Sequence, residues 1–184
     1  LQYIGGNVKL TKAEAEALYA GIVVDTKNFS FKTGVRTFEA ASFLKKYGVD
    51  TIAIKRLFRT SMEEYLQKMK IVGAAEIVFG NMAISSCNLE EFPKSERSIV
   101  IAQAADELLD IEGIGASFVL GYAEEMVTVS ARSLDEINVQ LIMEKLGGGG
   151  HRMVAGCQLR GVSLAEAKDK LTDVLEEYVK ELKQ

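Results

Sequence analysis

Apolar residues recur at helical spacing near the end of the chain, where Leu164, Ala167, Leu171, Val174, Leu175, Tyr178 and Leu182 make one continuous stripe. Ser163-Leu164-Ala165-Glu166 stands before the stripe with capping-box spacing, which predicts a helix that starts there and packs on a core. The same signature opens two segments in the first half of the chain. Thr11-Lys12-Ala13-Glu14 leads into Ala13, Ala17, Leu18, Gly21 and Val24, predicting a helix to about Asp25. Ser61-Met62-Glu63-Glu64 leads into Tyr65, Met69 and Val72, predicting another over 61–72. Between them, the polar stretch 26–36 with Gly34 reads as a loop. Phe38, Ala41, Ser42 and Leu44 then mark a helix stopped by Gly48, and 50–58 reads as a further short helix.

After residue 75 the period changes. Residues 76–79 and 82–87 are short β-prone runs separated by Gly80-Asn81, a hairpin-turn pair. A helix follows over 98–109, then two strands over 114–120 and 126–132 joined by the connection 121–125. Ser133-Leu134-Asp135-Glu136 is expected to cap a helix ending at Leu146, and 153–159 reads as one more strand. The outline is a helix-rich piece of about seventy residues followed by a mixed α+β domain, without internal repeats.

Composition narrows the function classes. At 184 residues and 48% hydrophobic the chain can build a packed core, which argues against disorder. A net charge of −4 argues against broad, sequence-independent binding to long nucleic acid, while a small anionic ligand held by a few local donors fits. The two cysteines, Cys87 and Cys157, are too few and too far apart for a disulfide framework or a zinc ribbon, which points to a reducing compartment. No apolar run reaches bilayer-spanning length and no signal-peptide pattern opens the chain. The chain begins Leu1-Gln2-Tyr3-Ile4 without methionine and is read as a piece of a longer protein.

Three places could carry chemistry. Gly147-Gly148-Gly149-Gly150-His151 lies between a predicted helix and a predicted strand, where one or two glycines would turn the chain. The surplus allows close approach of a ligand to the backbone, or a nest of N–H groups for phosphate, with His151, the only histidine, at its edge. The alternative is a flexible connector and a surface histidine. Ser130 and Arg132, two apart on a strand, share one face while Val127, Val129 and Ala131 share the other. That polar face is expected to point outward and to hold a phosphate or a ribose; the alternative is a solvated arginine paired with an acid such as Asp135. Asn138 and Gln140 add amides nearby as weaker candidates. Asp25 closes the apolar run Ala20-Gly21-Ile22-Val23-Val24, a setting where an ionised carboxylate needs a cation or several donors. It would either ligate a metal or accept hydrogen bonds from the following turn. Lys27, Lys32 and Arg36 form a basic loop beside it.

Taken together, the segment from Gly21 through Asp25-Thr26-Lys27-Asn28-Phe29, then Ser130-Ala131-Arg132-Ser133, then the glycine run with His151 and Ala155-Gly156, resemble the DHH phosphoesterase superfamily. The Asp25 segment, Arg36-Thr37-Phe38-Glu39-Ala40-Ala41 and Ile137-Asn138-Val139-Gln140 are most similar to GdpP-like cyclic-di-AMP phosphodiesterases. The resemblance implies an α/β chain in two parts. Residues 1–70 would be the helical C-terminal remnant of a DHH domain, and 74–184 an α+β DHH-associated substrate-binding domain with a mixed sheet. It further implies two manganese ions held by Asp-x-Asp, Asp-His-His and a later Asp, to which Asp25 corresponds. Ser130, Arg132, Gly148, Gly149, Gly150 and His151 would hold substrate, and cyclic-di-AMP would be opened to linear 5′-pApA. The Asp-x-Asp and Asp-His-His motifs are absent from this chain, and Arg152-Met153-Val154 stands where the family pattern has smaller residues. The implied partner is a cyclic dinucleotide or short oligonucleotide, and a homodimer is compatible with the fold. The implied parent is membrane-anchored with its catalytic portion in the cytoplasm, this segment itself making no membrane contact. Two other readings stay open: a DHH exonuclease or oligonucleotide phosphatase, which would need a more basic path, and a non-catalytic nucleotide-binding module.

Overall fold

In the computed structural model, which describes residues 9–31 and 33–182, the predicted capping boxes close on the expected residues. The Glu14 carboxylate accepts from the Thr11 N–H at 2.8 Å while Thr11 caps the Glu14 N–H, so α1 spans Lys12–Asp25. Helix α2 covers Val35–Lys45, taking in the last two residues of the stretch expected to be loop, because the Gly34 N–H finds Thr37 Oγ1 and closes the first turn. Helix α3, Thr51–Leu57, is capped by Asp50, whose Oδ1 accepts from the N–H groups of Ile52 and Ala53. The chain divides into two compact units, and these three helices lie in the first, Leu1–Thr60. Its core is small: Ala15, Leu44, Val49 and Ile54 are buried, with Tyr19, Ile22 and Phe43 packed around them.

The second unit, Ser61–Gln184, opens with α4, Met62–Gly73, a helix the sequence groups with the first part. Ile71 joins the buried cluster of the second unit, and Lys68 reaches Glu107 at 2.6 Å. There follow β1 Glu76–Val78, β2 Met82–Asn88, α5 Arg97–Leu109, β3 Ala116–Ala123, β4 Met126–Ser133, α6 Val139–Lys145, β5 Gly149–His151, β6 Val154–Arg160 and α7 Leu164–Leu182. The strands make one sheet in the order β1-β2-β3-β4-β6-β5. The β2–β3 pair is parallel, with α5 as its crossover, and the other pairs are antiparallel, so the sheet is mixed as expected.

Alternation along the strands divides the core into two layers. Phe118, Leu120, Val127, Val129 and Ala131 face one way and bury against Ile142 of α6 and Leu171 and Leu175 of α7. Ala83, Val119 and Ala123 face the other way, against Val100, Ile101, Ala104 and Leu108 of α5. On this second face the covering stops at β4. Val154, Gln158 and Arg160 of β6 and His151 of β5 are exposed.

Three connections differ from expectation. Val78 pairs with Met82, so the first hairpin turns through Phe79-Gly80-Asn81, with positive φ at Phe79 and Gly80, rather than through Gly80-Asn81 alone. Ala123 pairs with Met126, so residues 121–123 continue β3 and the turn is Glu124-Glu125, both left-handed, the conformation a two-residue hairpin requires. The expected cap at Ser133 does not form. Ser133 stays in the sheet, its N–H bonded to Met153 O, and Asp135 at φ +85° breaks the helical path. Helix α6 therefore begins at Val139, with Asn138 Oδ1 accepting from the Gln140 N–H. No helix among the described residues is long and apolar enough to cross a membrane.

Candidate functional site

Strand register brings the sequence-selected residues of the second unit into two adjacent rungs. Arg132 lies opposite Val154, which lies opposite His151; Ser130 lies opposite Gly156, which lies opposite Gly149. Residues directly opposed across a ladder share a face, so Ser130, Arg132, Gly149 and His151 all belong to the face whose β6–β5 half is uncovered. With strands about 4.8 Å apart, the backbones of Arg132 and His151 stand roughly 10 Å from one another, a span that a nucleotide's phosphate and sugar can bridge.

The polar face of β4 does not point freely outward as expected. Ser130 is 8% exposed and the Arg132 side chain 13% exposed. The arginine is an ion-pair member, but its partner is Asp106 on α5 rather than Asp135. Its Nε donates to Asp106 Oδ1 at 3.0 Å, and its Nη1 donates to Ser130 Oγ and to Ala131 O, each at 3.0 Å. Among the described residues none accepts from Nη2. Pairing is what lets a charged side chain sit this deep, since an unpartnered cation there would be costly. Asp135 is taken by Arg152, whose Nε meets Asp135 Oδ1 at 2.6 Å and whose Nη2 meets Asp135 O at 2.9 Å. Arg152 thus ties the β5–β6 turn to the loop before α6.

The glycine run separates into different jobs. Gly147, at φ +78°, ends α6: its N–H bonds Glu144 O and that of Gly148 bonds Met143 O, the paired bonds of a Schellman motif. Those bonds consume the N–H groups that a phosphate nest would need, and the residues that follow form β5, whose N–H groups alternate in direction. The nest expected from the sequence is therefore not formed. A Cβ on Gly148 would stand 2.2 Å from Gly156 O, and one on Gly150, at φ +147°, would stand 2.5 Å from the Ala155 Cα. Both are glycines because β6 lies against them. Gly149 differs: a Cβ there would meet nothing within 4 Å, and its φ lies outside the left-handed region. His151 closes β5 in an exposed position.

Asp25 is the last residue of α1, in the first unit, and it is exposed beside Val24, itself 57% exposed. The apolar setting expected of it is absent, because the run 20–24 turns part of its surface to solvent. The following turn is held by Thr26 instead: its Oγ1 donates to Ile22 O at 2.6 Å and accepts from the Phe29 N–H at 3.0 Å. Among the described residues none donates to the Asp25 carboxylate. Lys27, Asn28 and Phe29 all take positive φ, and the Phe29 ring stacks on Phe38 at 5.5 Å. Lys27 lies over the Phe31 ring, Arg36 belongs to α2, and Lys32 lies outside the described residues. No group of three or more His, Cys, Asp or Glu side chains among the described residues could hold a metal ion, so these residues do not by themselves fit a two-ion centre. Burial pushes the Cys87 and Cys157 thiols up to about 11, which keeps them protonated and inert near neutral pH.

One residue of the arrangement is invisible in the sequence. Asp106 is one of two adjacent acids on a helix, 26 positions from the arginine it meets, and only the packing of α5 on β4 brings them together.

The DHHA1 domain model matches residues 80–181. The cyclic-di-AMP phosphodiesterase PdeA of Listeria monocytogenes is 45% identical over 170 residues, covering 92% of this chain and 25% of that protein. The cyclic-di-AMP phosphodiesterase GdpP of Bacillus subtilis is 42% identical over 181 residues, covering 97% and 27%. The chain thus spans about a quarter of the length of these curated relatives. The bifunctional oligoribonuclease and PAP phosphatase NrnA of Thermus thermophilus is 29% identical, over 92% of this chain and 52% of that protein. Among solved structures, an exopolyphosphatase-related protein from Bacteroides fragilis shares the fold with a TM-score of 0.76 at 24% identity, covering 95% of this chain and 53% of that one. With more than half of its residues matched to that domain, the chain belongs to the DHHA1 domain family.

Proposed function

We propose that this chain is the substrate-holding part of a manganese-dependent phosphodiesterase that opens cyclic-di-AMP to 5′-pApA. The names of its relatives PdeA and GdpP support the substrate. The observation that carries the site is the pair of rungs joining Arg132 to His151 and Ser130 to Gly149 across the boundary between the covered and uncovered halves of one sheet face, with Gly149 the member of the run that neither a contact inside the protein nor a left-handed φ requires to be glycine. In this reading the Nη2 donors of Arg132 and the His151 ring meet phosphate oxygens, and Gly149 lets the ligand lie against β5. Ser130 steadies the arginine, while Gly148 and Gly150 shape the hairpin. Asp25 contributes one carboxylate to a metal site whose other ligands come from upstream motifs. The parent is membrane-anchored, with this portion in the cytoplasm.

The test is hydrolysis of cyclic-di-AMP by the full-length protein. Arg132→Ala, His151→Ala and Gly149→Val should each lower kcat/KM roughly ten- to hundred-fold with bound manganese unchanged. Asp25→Ala should lower manganese content along with turnover. Wild-type kinetics in the first three variants, each with a native circular dichroism spectrum, would sink the assignment. The similarity to NrnA favours a second reading, hydrolysis of short linear oligonucleotides, and a higher kcat/KM on a linear di- or trinucleotide than on cyclic-di-AMP would select it.

A further inference from the structure

We propose that Asp106 is a positioning residue: it fixes the Arg132 guanidinium so that only the Nη2 edge is offered to substrate. This rests on the substrate-holding role given to Arg132 above. An arginine carries five N–H donors, one on Nε and two on each Nη. Nε is spent on Asp106 Oδ1, and the two donors of Nη1 are spent on Ser130 Oγ and Ala131 O. What remains is the pair on Nη2, on a plane that can no longer rotate. Asp106 is the charged member of this set, and its bond to Nε sets the direction of the fork.

The carboxylate itself is held in place by α5. Three consecutive residues of that helix are each anchored to a different element. Ala105 O accepts from Ser117 Oγ on β3 at 2.6 Å, Asp106 meets Arg132 on β4, and Glu107 meets Lys68 on α4 at 2.6 Å. Ser117 is moreover the register partner of Arg132, so the first two anchors lie side by side. A helix pinned at three successive positions cannot slide its aspartate away from the arginine. A freely rotating arginine would lose side-chain entropy on meeting a phosphate, and one already locked loses little.

The experiment compares KM, kcat and melting temperature for cyclic-di-AMP hydrolysis by the full-length protein in Asp106→Ala, Asp106→Asn, Arg132→Ala and the Asp106→Ala/Arg132→Ala pair. Asp106→Ala should raise KM about ten-fold with a much smaller change in kcat, and Asp106→Asn, which keeps an acceptor for Nε, should recover most of that loss. The double variant should be no worse than Arg132→Ala alone, because the aspartate acts through the arginine. A merely structural tie between α5 and β4 would move the melting temperature and leave KM alone; that result overturns the proposal while leaving the role of Arg132 intact. Losses that multiply in the double variant also overturn it. If Arg132→Ala itself leaves KM unchanged, the substrate-holding reading fails and takes this one with it. Should Asp106→Ala not fold, Asp106→Glu, which keeps the charge but displaces it by a methylene, must raise KM for the proposal to stand.

Discussion

At the scale of single residues, adjacent glycines of one run answer to different constraints. Gly150 sits at φ +147° with the Ala155 Cα where a side chain would begin, so Gly150→Ala should destabilise the chain by about 1–3 kcal/mol in a urea melt. Gly149 has open space at that point, so Gly149→Ala should leave stability within about 0.5 kcal/mol of wild type. A larger loss at Gly149 than at Gly150 would mean the hairpin is built otherwise. The sequence makes the surplus of glycine visible but not its division, because close approach to β6 depends on a strand pairing formed by residues further on. Arg132 is similar: its chemistry is evident from the chain, whereas its partner on α5 is decided by packing across 26 positions. The burial expected around Asp25 is absent for the opposite reason. A run of apolar letters implied burial, but a helix in a unit with so small a core leaves Val24 and Asp25 in solvent.

At the scale of elements, local signals were the readable ones. The boxes at Thr11, Ser61 and Ser163 each start a helix where the letters place it, since cap and helix lie within one turn of chain. Ser133 carries the same letters and caps nothing, because sheet bonding claims its backbone first. The real start of α6, at Asn138, is reinforced from a distance: the Asn138 N–H donates to Tyr178 Oη of α7 at 2.9 Å. Tyr178→Phe removes that acceptor from a half-buried N–H and should cost about 1–2 kcal/mol by thermal melting. Equal stability of the two proteins would show that solvent replaces the phenol there.

At the scale of the whole molecule, the division into a helical part and a mixed-sheet part follows from the change in hydrophobic period near residue 75. Where the units divide is less legible, since α4 looks like its predecessors in sequence yet packs with the sheet. The open half-face is not legible either, because it depends on how far α5 reaches across the strands. Its consequence extends beyond ligand contact to the timing of local opening. β3 and β4 are paired on both sides and covered on both faces, whereas β5 is a three-residue edge strand in which two residues are glycine and two are exposed. Amide hydrogens should therefore exchange with deuterium slowest in the middle of the sheet and fastest along β5, where glycine makes ordering costly in entropy. A nucleotide lying on Gly149 would slow exchange in β5 most, narrowing that gradient, and so occupancy of the face can be timed by mass spectrometry in the absence of any turnover.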